Sequence, residues 1–410
     1  MPVHDLVVRE ARVRGAGVTD VGVTGGLVAT IDRGLDGREV VEAGGALVTP
    51  SFVDAHLHLD KVYTWHRAGT AARAAYATAG MGGAADAIAL ASAVKNTYDE
   101  DSIAQHARDV LIDGLRHGVT HVRAFADTDS RAGLKGVQPL LALRNELRGM
   151  VDVEVVAFPQ DGVLRDPGAA EVVEQALRMG ADLVGGIPWI EDTAADAAEH
   201  IAQMFTLARR YDRDIAMLTD DAGDPGLHTT EMLAQAALDN GWDGRITACH
   251  ARALALYPRP QLLRLLRLAG RAGMAFVANP HTAPLALPVA DLLDADVPVA
   301  LGQDDIADAY YPFGRHNLLE VAFVAAHVLD MTGEHDMERL LDMITTHAAR
   351  ALRLPRHEIA VGAPADLVVL DGEDAREVLA RHSPPRYVIR NGGLAATTSI
   401  VWNLHHEPAT

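Results

Sequence analysis

The feature that most constrains the fold is an alternation of short apolar segments with helical segments through the middle of the chain. Helical segments such as ADAIALASAVKNTYDEDSIAQHARDVLIDGLRHG and QLLRLLRLAGRAG fall between eight candidate strands. The candidate strands are ALVTPSFVDAHLHL, THVRAFAD, VEVVAFPQ, DLVGGIPW, DIAMLTDD, RITACH, AFVANP and VPVALGQDD. Repeated βα units predict an α/β fold, and eight of them favour a (β/α)8 TIM-type barrel. An open doubly wound sheet is the alternative, but no G-x-G-x-x-G motif follows the first strand.

The two ends of the chain have a different pattern from the middle. Both contain short strands separated by Gly-rich turns, such as HDLVVREARVR near the start and RYVIRNGG near the end. We therefore predict a barrel over residues 49–354. Residues 1–48 and 355–410 are predicted to pair into one small composite β-sandwich domain beside it.

Composition excludes several classes of protein. Thirty-six basic and 56 acidic residues give a net charge of −20, which disfavours nucleic acid or an anionic membrane as the partner. No run of eighteen apolar residues occurs, and the N-terminus lacks the apolar core of a signal peptide. Cys249 is the only cysteine, so a disulfide within the chain and a cysteine-based zinc site are excluded. A cytoplasmic protein is expected, and any metal must be held by histidines and carboxylates.

Polar residues stand where the predicted barrel strands end, the place where barrel enzymes carry their chemistry. Strand 1 ends in His56 and His58, which share one face because side chains alternate along a strand. Strand 6 ends at His250, and strand 8 ends in Asp304 and Asp305. Together they predict a divalent metal site. Such an ion activates water, and a neighbouring carboxylate can move the proton.

The polar and aromatic residues at the strand ends also have purely structural interpretations. An H-x-H pair can arise by chance in a chain with nineteen histidines. His250 would be a hydrogen-bonded core residue, Asp305 a helix cap, Gln160 a polar cap on strand 3, and Trp189 a packing residue after strand 4. The metal-site prediction therefore depends on the joint placement of the residues rather than on any one of them.

Longer motifs connect the chain to a known family. The motifs are SFVDAHLHLDK, VAFPQDGVL, GADLVGGIPW, ITACH, FVANP, GQDDIADAYYPFG and HEIAVGAPADLVVLDG. In these motifs the chain resembles the amidohydrolase superfamily. Within that superfamily it resembles the cytosine deaminase group and its relatives that act on triazine rings. The resemblance runs over nearly the whole length.

The resemblance implies one divalent metal ion, Zn or Fe with Mn possible, bound by His56, His58 and Asp304. Asp304 would also be the base that activates water. Binuclear members of the superfamily bridge two metals with a carboxylated lysine on strand 4. Strand 4 here reads VGGIPW, and Lys61 lies on strand 1, so one metal is expected.

The resemblance also implies roles around the substrate. His250 would orient the attacking hydroxide or polarise the substrate, Gln160 would bind the edge of a planar heterocycle, and Asp305 would contact a ring nitrogen or the leaving group. The complete set of predicted substrate contacts is Gln160, Asp305, Trp189, Tyr310 and His281. The predicted catalytic residues are Asp304, Asp221 and His250.

Three departures from the family pattern change the expectation. Mononuclear deaminases place a metal-binding histidine on strand 5 and a catalytic glutamate three residues later. Leu218 and Asp221 occupy those positions here. The segment NPHTAPLALPVAD lacks the polar stretch that covers the pyrimidine in cytosine deaminase, and Tyr310 replaces a tryptophan. A substrate other than cytosine is therefore expected.

Leu218 leaves three hypotheses for the metal. The three remaining ligands hold it with water in the vacant position, or His250, His281 or Asp220 supplies the missing ligand, or metal chemistry has been lost.

The predicted function is metal-dependent hydrolysis of a C–N bond in a small cyclic amidine, amide or N-heterocycle. The alternatives are a non-catalytic or metal-free heterocycle-binding barrel, and an N-dealkylating or lactam-opening amidohydrolase. A small-molecule substrate and a homo-oligomer are expected.

Overall fold

The chain begins with part of a small β-sheet. The structure, a computed structural model, describes residues 3–70, 74 and 84–403. β1 pairs antiparallel with β2 and parallel with β4 and β5, and its Leu6, Val8 and Val13 pack in the core of the small domain. The first five strands are β1 (His4–Val13), β2 (Gly17–Thr24), β3 (Leu27–Asp32), β4 (Gly37–Glu42) and β5 (Leu47–Pro50).

A second sheet forms the barrel, and its strands occur where all eight candidate strands were predicted. Neighbouring strands pair in parallel and in sequence order. The (β/α)8 prediction is thus confirmed. The strands are β6 (Phe52–Leu57), β7 (Val119–Asp127), β8 (Asp152–Phe158), β9 (Leu183–Gly186), β10 (Asp214–Thr219), β11 (Ile246–His250), β12 (Ala275–Ala278) and β13 (Val299–Leu301).

The barrel closes between its first and last strands, just beyond the end of β13. Asp304 N donates to the carbonyl oxygen of His56 over 2.8 Å, and His58 N donates to the carbonyl oxygen of Asp304 over 2.9 Å. We call this pairing of His56, His58 and Asp304 the seam. Three predicted metal ligands therefore lie at the point where the two ends of the barrel sheet meet.

Helices pack outside the barrel through their apolar faces, for example with Leu111, Leu140 and Phe205 in the outer core. The helices are α1 (Ala84–Ala91), α2 (Glu100–Arg116), α3 (Val137–Glu146), α4 (Ala169–Met179), α5 (Ala194–Tyr211), α6 (Thr229–Asn240), α7 (Arg259–Arg271), α8 (Val289–Asp294), α9 (Leu318–Val328), α10 (Glu334–Met343), α11 (Thr346–Ala351) and α12 (Ala375–Arg381). Short 3-10 turns follow several strands, including Pro188–Ile190 and Arg252–Leu256.

The long helical segment predicted after strand 1 is not one helix. α1 passes into a 3-10 turn, Ser92–Thr97, and α2 starts anew after Asp99. The carboxylate of Asp99 accepts a hydrogen bond from Ser102 N, the capping interaction that begins a helix. The break places Lys95, in the 3-10 turn, beside the carboxyl ends of the barrel strands.

The end of the chain completes the small sheet. Its strands are β14 (Leu367–Val369), β15 (Tyr387–Arg390) and β16 (Gly393–Thr397). β14 pairs antiparallel with β5, so the predicted small β domain built from both ends of the chain is confirmed. Across the described ranges, no helix combines the length and apolar character needed to span a membrane.

Candidate active site

The predicted metal ligands converge at the seam. His56 Nε2 lies 3.2 Å from Asp304 Oδ1 and 3.3 Å from His58 Nε2. His58 Nε2 and His250 Nε2 lie 3.7 Å and 3.9 Å from the same carboxylate oxygen. All four side chains are buried. Ligands about 2.1 Å from a tetrahedral ion are about 3.4 Å from one another, so these atoms have the spacing of a ligand set.

The hydrogen bonding of these atoms also fits a cation. Asp304 Oδ1 is buried and has no hydrogen-bond partner among the described residues, although three ring nitrogens surround it. An unpaired buried carboxylate oxygen is costly unless a cation or a donor meets it. Imidazole nitrogens with one carboxylate are ligands that Zn²⁺ and Fe²⁺ accept. The residues present therefore fit a divalent metal.

Burial and neighbouring groups shift the pKa values of the three histidines in different directions. Burial lowers the pKa of His250 to about 4 and holds the pKa of His58 well below its ordinary value. Both rings are then neutral, and each has a nitrogen lone pair that can bind a metal ion. Burial would also lower the pKa of His56, but neighbouring Cys249 and Asp304 raise it to about 9. Burial opposes ionisation of Asp304, yet His250 and His56 keep its pKa well below the usual range.

The other oxygen of Asp304 is fixed by residues that the sequence analysis did not identify. Thr282 Oγ1 donates to Asp304 Oδ2 over 2.8 Å. Arg252 Nη2 in turn donates to Thr282 Oγ1 over 2.6 Å and to the carbonyl oxygen of Asn279 over 2.9 Å. This chain of hydrogen bonds orients Asp304 towards the histidines.

The two aspartates after the fifth barrel strand, Asp220 and Asp221, have different partners. Asp220 Oδ1 accepts from the backbone and hydroxyl of Thr229, and its Oδ2 accepts from Thr230 N, so Asp220 holds the start of α6. Asp221 forms an ion pair with buried Arg252 and contributes to the electrostatic environment of His250. Arg252 therefore links Asp221 to the hydrogen bonds that hold Asp304.

The geometry favours one of the hypotheses for the position of Leu218. Leu218 packs inside the barrel in the same buried cluster as Phe158 and Trp189. His281 Nε2 lies 2.9 Å from the carbonyl oxygen of Gln303, and neither His281 nor Asp220 belongs to a converging ligand group among the described residues. His250 does, together with His56 and Asp304.

Gln160 lies two residues beyond β8, and its side chain contacts Lys61. Lys61 Nζ donates to Gln160 Oε1 and to Asp127 Oδ1, the latter over 2.9 Å, and lies 4.9 Å from the centre of the Tyr310 ring. A second buried lysine, Lys95, pairs with Asp129 and Asp161 beside this group. Two of the three lysines in the chain are therefore enclosed next to the site.

The remaining predicted substrate contacts line the same end of the barrel. Asp305 is buried and converges with His58 and Asp304. Burial, with Asp308 and Asp304 nearby, raises its pKa well above the ordinary value. Trp189 is 7% exposed, and its Nε1 has no hydrogen-bond partner within the described ranges. The sequence-predicted residues thus gather at one face, with His281 at its edge.

The residues that the sequence analysis missed share one signal. Lys61, Arg252 and Thr282 each follow a barrel strand by only a few positions, as the predicted site residues do. Their roles depend on partners far along the chain, which the sequence does not reveal.

Comparison with known proteins decides the family. Residues 79–396 match the profile of the amidohydrolase family. The chain belongs to this family. The amidohydrolase is 31% identical to an N-isopropylammelide isopropyl amidohydrolase from Pseudomonas sp. (strain ADP), over 97% of this chain and 98% of the relative.

Two solved structures are similar over almost their full length. One is a 5-methylcytosine deaminase from Klebsiella pneumoniae, with a TM-score of 0.89, 28% identity, and coverage of 97% of this chain and 99% of that one. The other is an N-isopropylammelide isopropylaminohydrolase from Burkholderia multivorans, with a TM-score of 0.84, 27% identity, and coverage of 96% and 98%. The predicted resemblance is confirmed. The amidohydrolase is a metal-dependent hydrolase of C–N bonds other than peptide bonds.

Proposed function

We propose that this amidohydrolase removes an exocyclic amine, free or alkylated, from a small six-membered nitrogen heterocycle. One divalent cation is held by His56, His58 and Asp304, and His250 is its fourth protein ligand. The observation that carries the proposal is the convergence of three ring nitrogens on one unpaired carboxylate oxygen. His250 thereby replaces the strand-5 histidine that Leu218 removes.

The ligand set favours Zn²⁺ or Fe²⁺, with Mn²⁺ a weaker fit because it prefers oxygen ligands. When bound at such a site, the cation activates water as a nucleophile and polarises an electrophilic carbon. Asp304 is the proposed base, because Thr282 fixes one of its oxygens and leaves the other towards the histidines. Asp221, which pairs with Arg252, is the proposed carrier of the proton to the departing nitrogen.

The substrate class is inferred from the relatives and from the residue types at this end of the barrel. One relative is named for the removal of an isopropylamine from N-isopropylammelide, and another for the deamination of 5-methylcytosine. Both compounds are six-membered nitrogen heterocycles with an exocyclic nitrogen on a ring carbon. Trp189 and Tyr310 offer aromatic walls, and Gln160 and Asp305 offer polar edges, which suits a flat polar ring.

Metal affinity tests the ligand set directly. We expect His250→Ala to weaken binding of Zn²⁺ at least about tenfold in competition with a chelator, because a ligand is lost. His281→Ala is the matched control. Its Zn²⁺ affinity should stay within about twofold of the wild type, because His281 belongs to no converging ligand group among the described residues. Equal effects of the two substitutions would contradict the assignment of His250.

Leu218→His separates the remaining hypotheses. If His250 already fills the fourth position, the new histidine should change Zn²⁺ affinity little. A large gain, on the order of tenfold or more, would show that a ligand position stands open and that only three protein ligands bind. Wild-type protein that never retains a divalent metal would refute the metal site altogether.

A screen for released amine tests the reaction. Metal-loaded protein is incubated with aminopyrimidines, aminotriazines and their N-alkyl derivatives, and ammonia and alkylamine are measured separately. Amine release from one of these rings is expected. Ring opening without amine release would favour the lactam-opening alternative, and binding without any turnover would favour a non-catalytic barrel.

A further inference from the structure

Asp54, on β6, contacts both sides of the seam. Its side chain is fully buried, and its Oδ1 accepts hydrogen bonds from the backbone nitrogens of His56 and Gln303, each over 3.1 Å. His56 is a proposed ligand, and Gln303 directly precedes the proposed ligand Asp304. One carboxylate oxygen therefore holds the first barrel strand next to the residues that follow the last strand.

The other oxygen of Asp54 faces a histidine that the proposed reaction does not use. His316 Nε2 lies 3.1 Å from Asp54 Oδ2, and neither atom has another partner among the described residues. His316 Nδ1 lies 2.9 Å from the carbonyl oxygen of Val110, on α2. A carbonyl oxygen only accepts hydrogen bonds, so Nδ1 carries a hydrogen and donates it. The ring therefore connects α2 to the carboxylate at the seam.

The helix leaves room for this ring at Gly114. A glycine inside a helix is less stabilising than alanine, and Gly114 lies within α2. A Cβ at this position would overlap the imidazole of His316. The glycine therefore allows the ring to lie directly against the backbone of the helix.

The backbone of His316 has an uncommon conformation. Its φ is +53°, in the left-handed region that residues other than glycine seldom adopt. Such a conformation persists where surrounding contacts hold it, and it occurs most often at functional sites. The contacts of the ring with Asp54 and Val110 are of this kind. Placement of the ring thus outweighs the local preference of the backbone.

We propose that His316 is a positioning residue of the metal site. It braces Asp54 against α2, and Asp54 holds the two sides of the seam at the spacing that the proposed ligands need. His316 acts through Asp54 rather than on the substrate. The inference rests on the proposed function, because the residues that are positioned in this way are the proposed ligands.

Two amide substitutions separate the two contacts of the ring. The amide nitrogen of glutamine reaches the place of a histidine Nε2, so His316→Gln keeps a donor for Asp54 and loses the contact with Val110. The amide nitrogen of asparagine takes the place of Nδ1, so His316→Asn keeps the contact with Val110 and loses that with Asp54. His327→Gln and His327→Asn are matched controls, because His327 is exposed on α9 and its Nδ1 also contacts a carbonyl oxygen, that of Phe323.

The Zn²⁺ affinity of the folded protein, measured by competition with a chelator, is the first readout. We expect it to fall at least about tenfold in His316→Asn, the effect that loss of an outer partner of a metal ligand commonly has. In His316→Gln and in both controls it should stay within about threefold of the wild type. A purely structural role of His316 would lower Tm and leave the Zn²⁺ affinity of the folded protein unchanged.

Hydrogen exchange of the metal-free protein tests the same inference without the ion. The backbone amides of His56 and Gln303 donate to Asp54, so their exchange reports how firmly Asp54 holds the seam. Exchange of peptides that contain these amides should be at least about tenfold faster in His316→Asn than in the wild type, and close to the wild type in His316→Gln.

Gly114→Ala displaces the ring without altering a polar group, so it should affect Zn²⁺ affinity and amide exchange as His316→Asn does. Its matched control is Gly270→Ala, on α7, where the new Cβ meets no atom of another part of the described chain within 4 Å. Because Gly114→Ala keeps the histidine, it decides the question if an amide variant does not fold.

Three results would overturn the inference. These are unchanged Zn²⁺ affinity and exchange in His316→Asn, equal losses in His316→Asn and His316→Gln, and an unchanged seam in Gly114→Ala. Wild-type protein that binds no Zn²⁺ would refute the proposed ligand set. Faster exchange in His316→Asn than in His316→Gln would in that case still support the role of His316 in holding the seam.

Discussion

Thr282→Val tests how the carboxylate of Asp304 is held. Valine has almost the shape of threonine, so the substitution removes the hydroxyl and little else. That hydroxyl donates to Asp304 Oδ2 over 2.8 Å and accepts from Arg252 Nη2 over 2.6 Å. No other described residue donates to Asp304 Oδ2. The substitution therefore leaves a buried carboxylate oxygen without its hydrogen bond and frees Asp304 to rotate away from the histidines.

The expected size follows from the kind of bond. Hydrogen bonds to charged groups contribute about 1.5–3 kcal/mol. If this amount is lost from the metal-binding conformation, Zn²⁺ affinity falls between about tenfold and about 150-fold. Loss of an outer partner of a metal ligand commonly costs 10–100-fold in affinity, which agrees with this range.

Chelator competition measures the Zn²⁺ dissociation constant of Thr282→Val against the wild type. Thr206→Val is the matched control, since Thr206 is exposed on α5 and its hydroxyl donates to the carbonyl oxygen of Ala202 within the same helix. Circular dichroism confirms that both variants fold. A Zn²⁺ affinity for Thr282→Val within about twofold of the control would refute the argument that Thr282 orients Asp304.

Two further predictions concern Asp304 and the backbone beside it. Asp304→Asn should lower kcat by about 10²–10⁴-fold while the fold persists, because a general base is removed; near-wild-type kcat would show that Asp304 is not the base. Gly302→Ala should lower Tm and metal affinity, because the new Cβ would lie 2.7 Å from Asn279 Oδ1 and 2.8 Å from His56 Cβ. Gly270→Ala, on α7, should instead raise stability by about 0.5–1 kcal/mol, because among the described residues the new Cβ would have no contact within 4 Å outside its own stretch of helix; equal Tm values for the two variants would contradict the reasoning.

The fold was predictable because barrel strands and helices differ in local pattern. Each barrel strand is a short apolar run, and the residues that end it point into the mouth of the barrel. His56, His58 and Asp304 could therefore be placed together before any contact was known. The helical segment predicted over residues 85–118 was not divided, because Asp99, which begins α2, resembles any other polar residue of a helix face.

The site was less predictable where partners lie far apart along the chain. Lys61 was considered only as a possible bridging ligand and was rejected in that role. Its contacts with Asp127 and Gln160 join three separate strands. The sequence also could not separate Asp220 from Asp221. Asp220 holds the start of α6, whereas Asp221 pairs with Arg252. Which aspartate makes which contact depends on a turn of the backbone rather than on residue type.

The seam has a consequence for how the chain acquires and keeps its metal. The proposed ligands on the first barrel strand are synthesised early, whereas Asp304 follows the last strand. The complete ligand set cannot exist on a growing chain until the barrel is nearly finished, and β14 must still follow to cover β5. An ion bound by the proposed ligand set would connect the first and last barrel strands. Opening the barrel would then release the ion, and occupancy of the site would stabilise the whole folded chain.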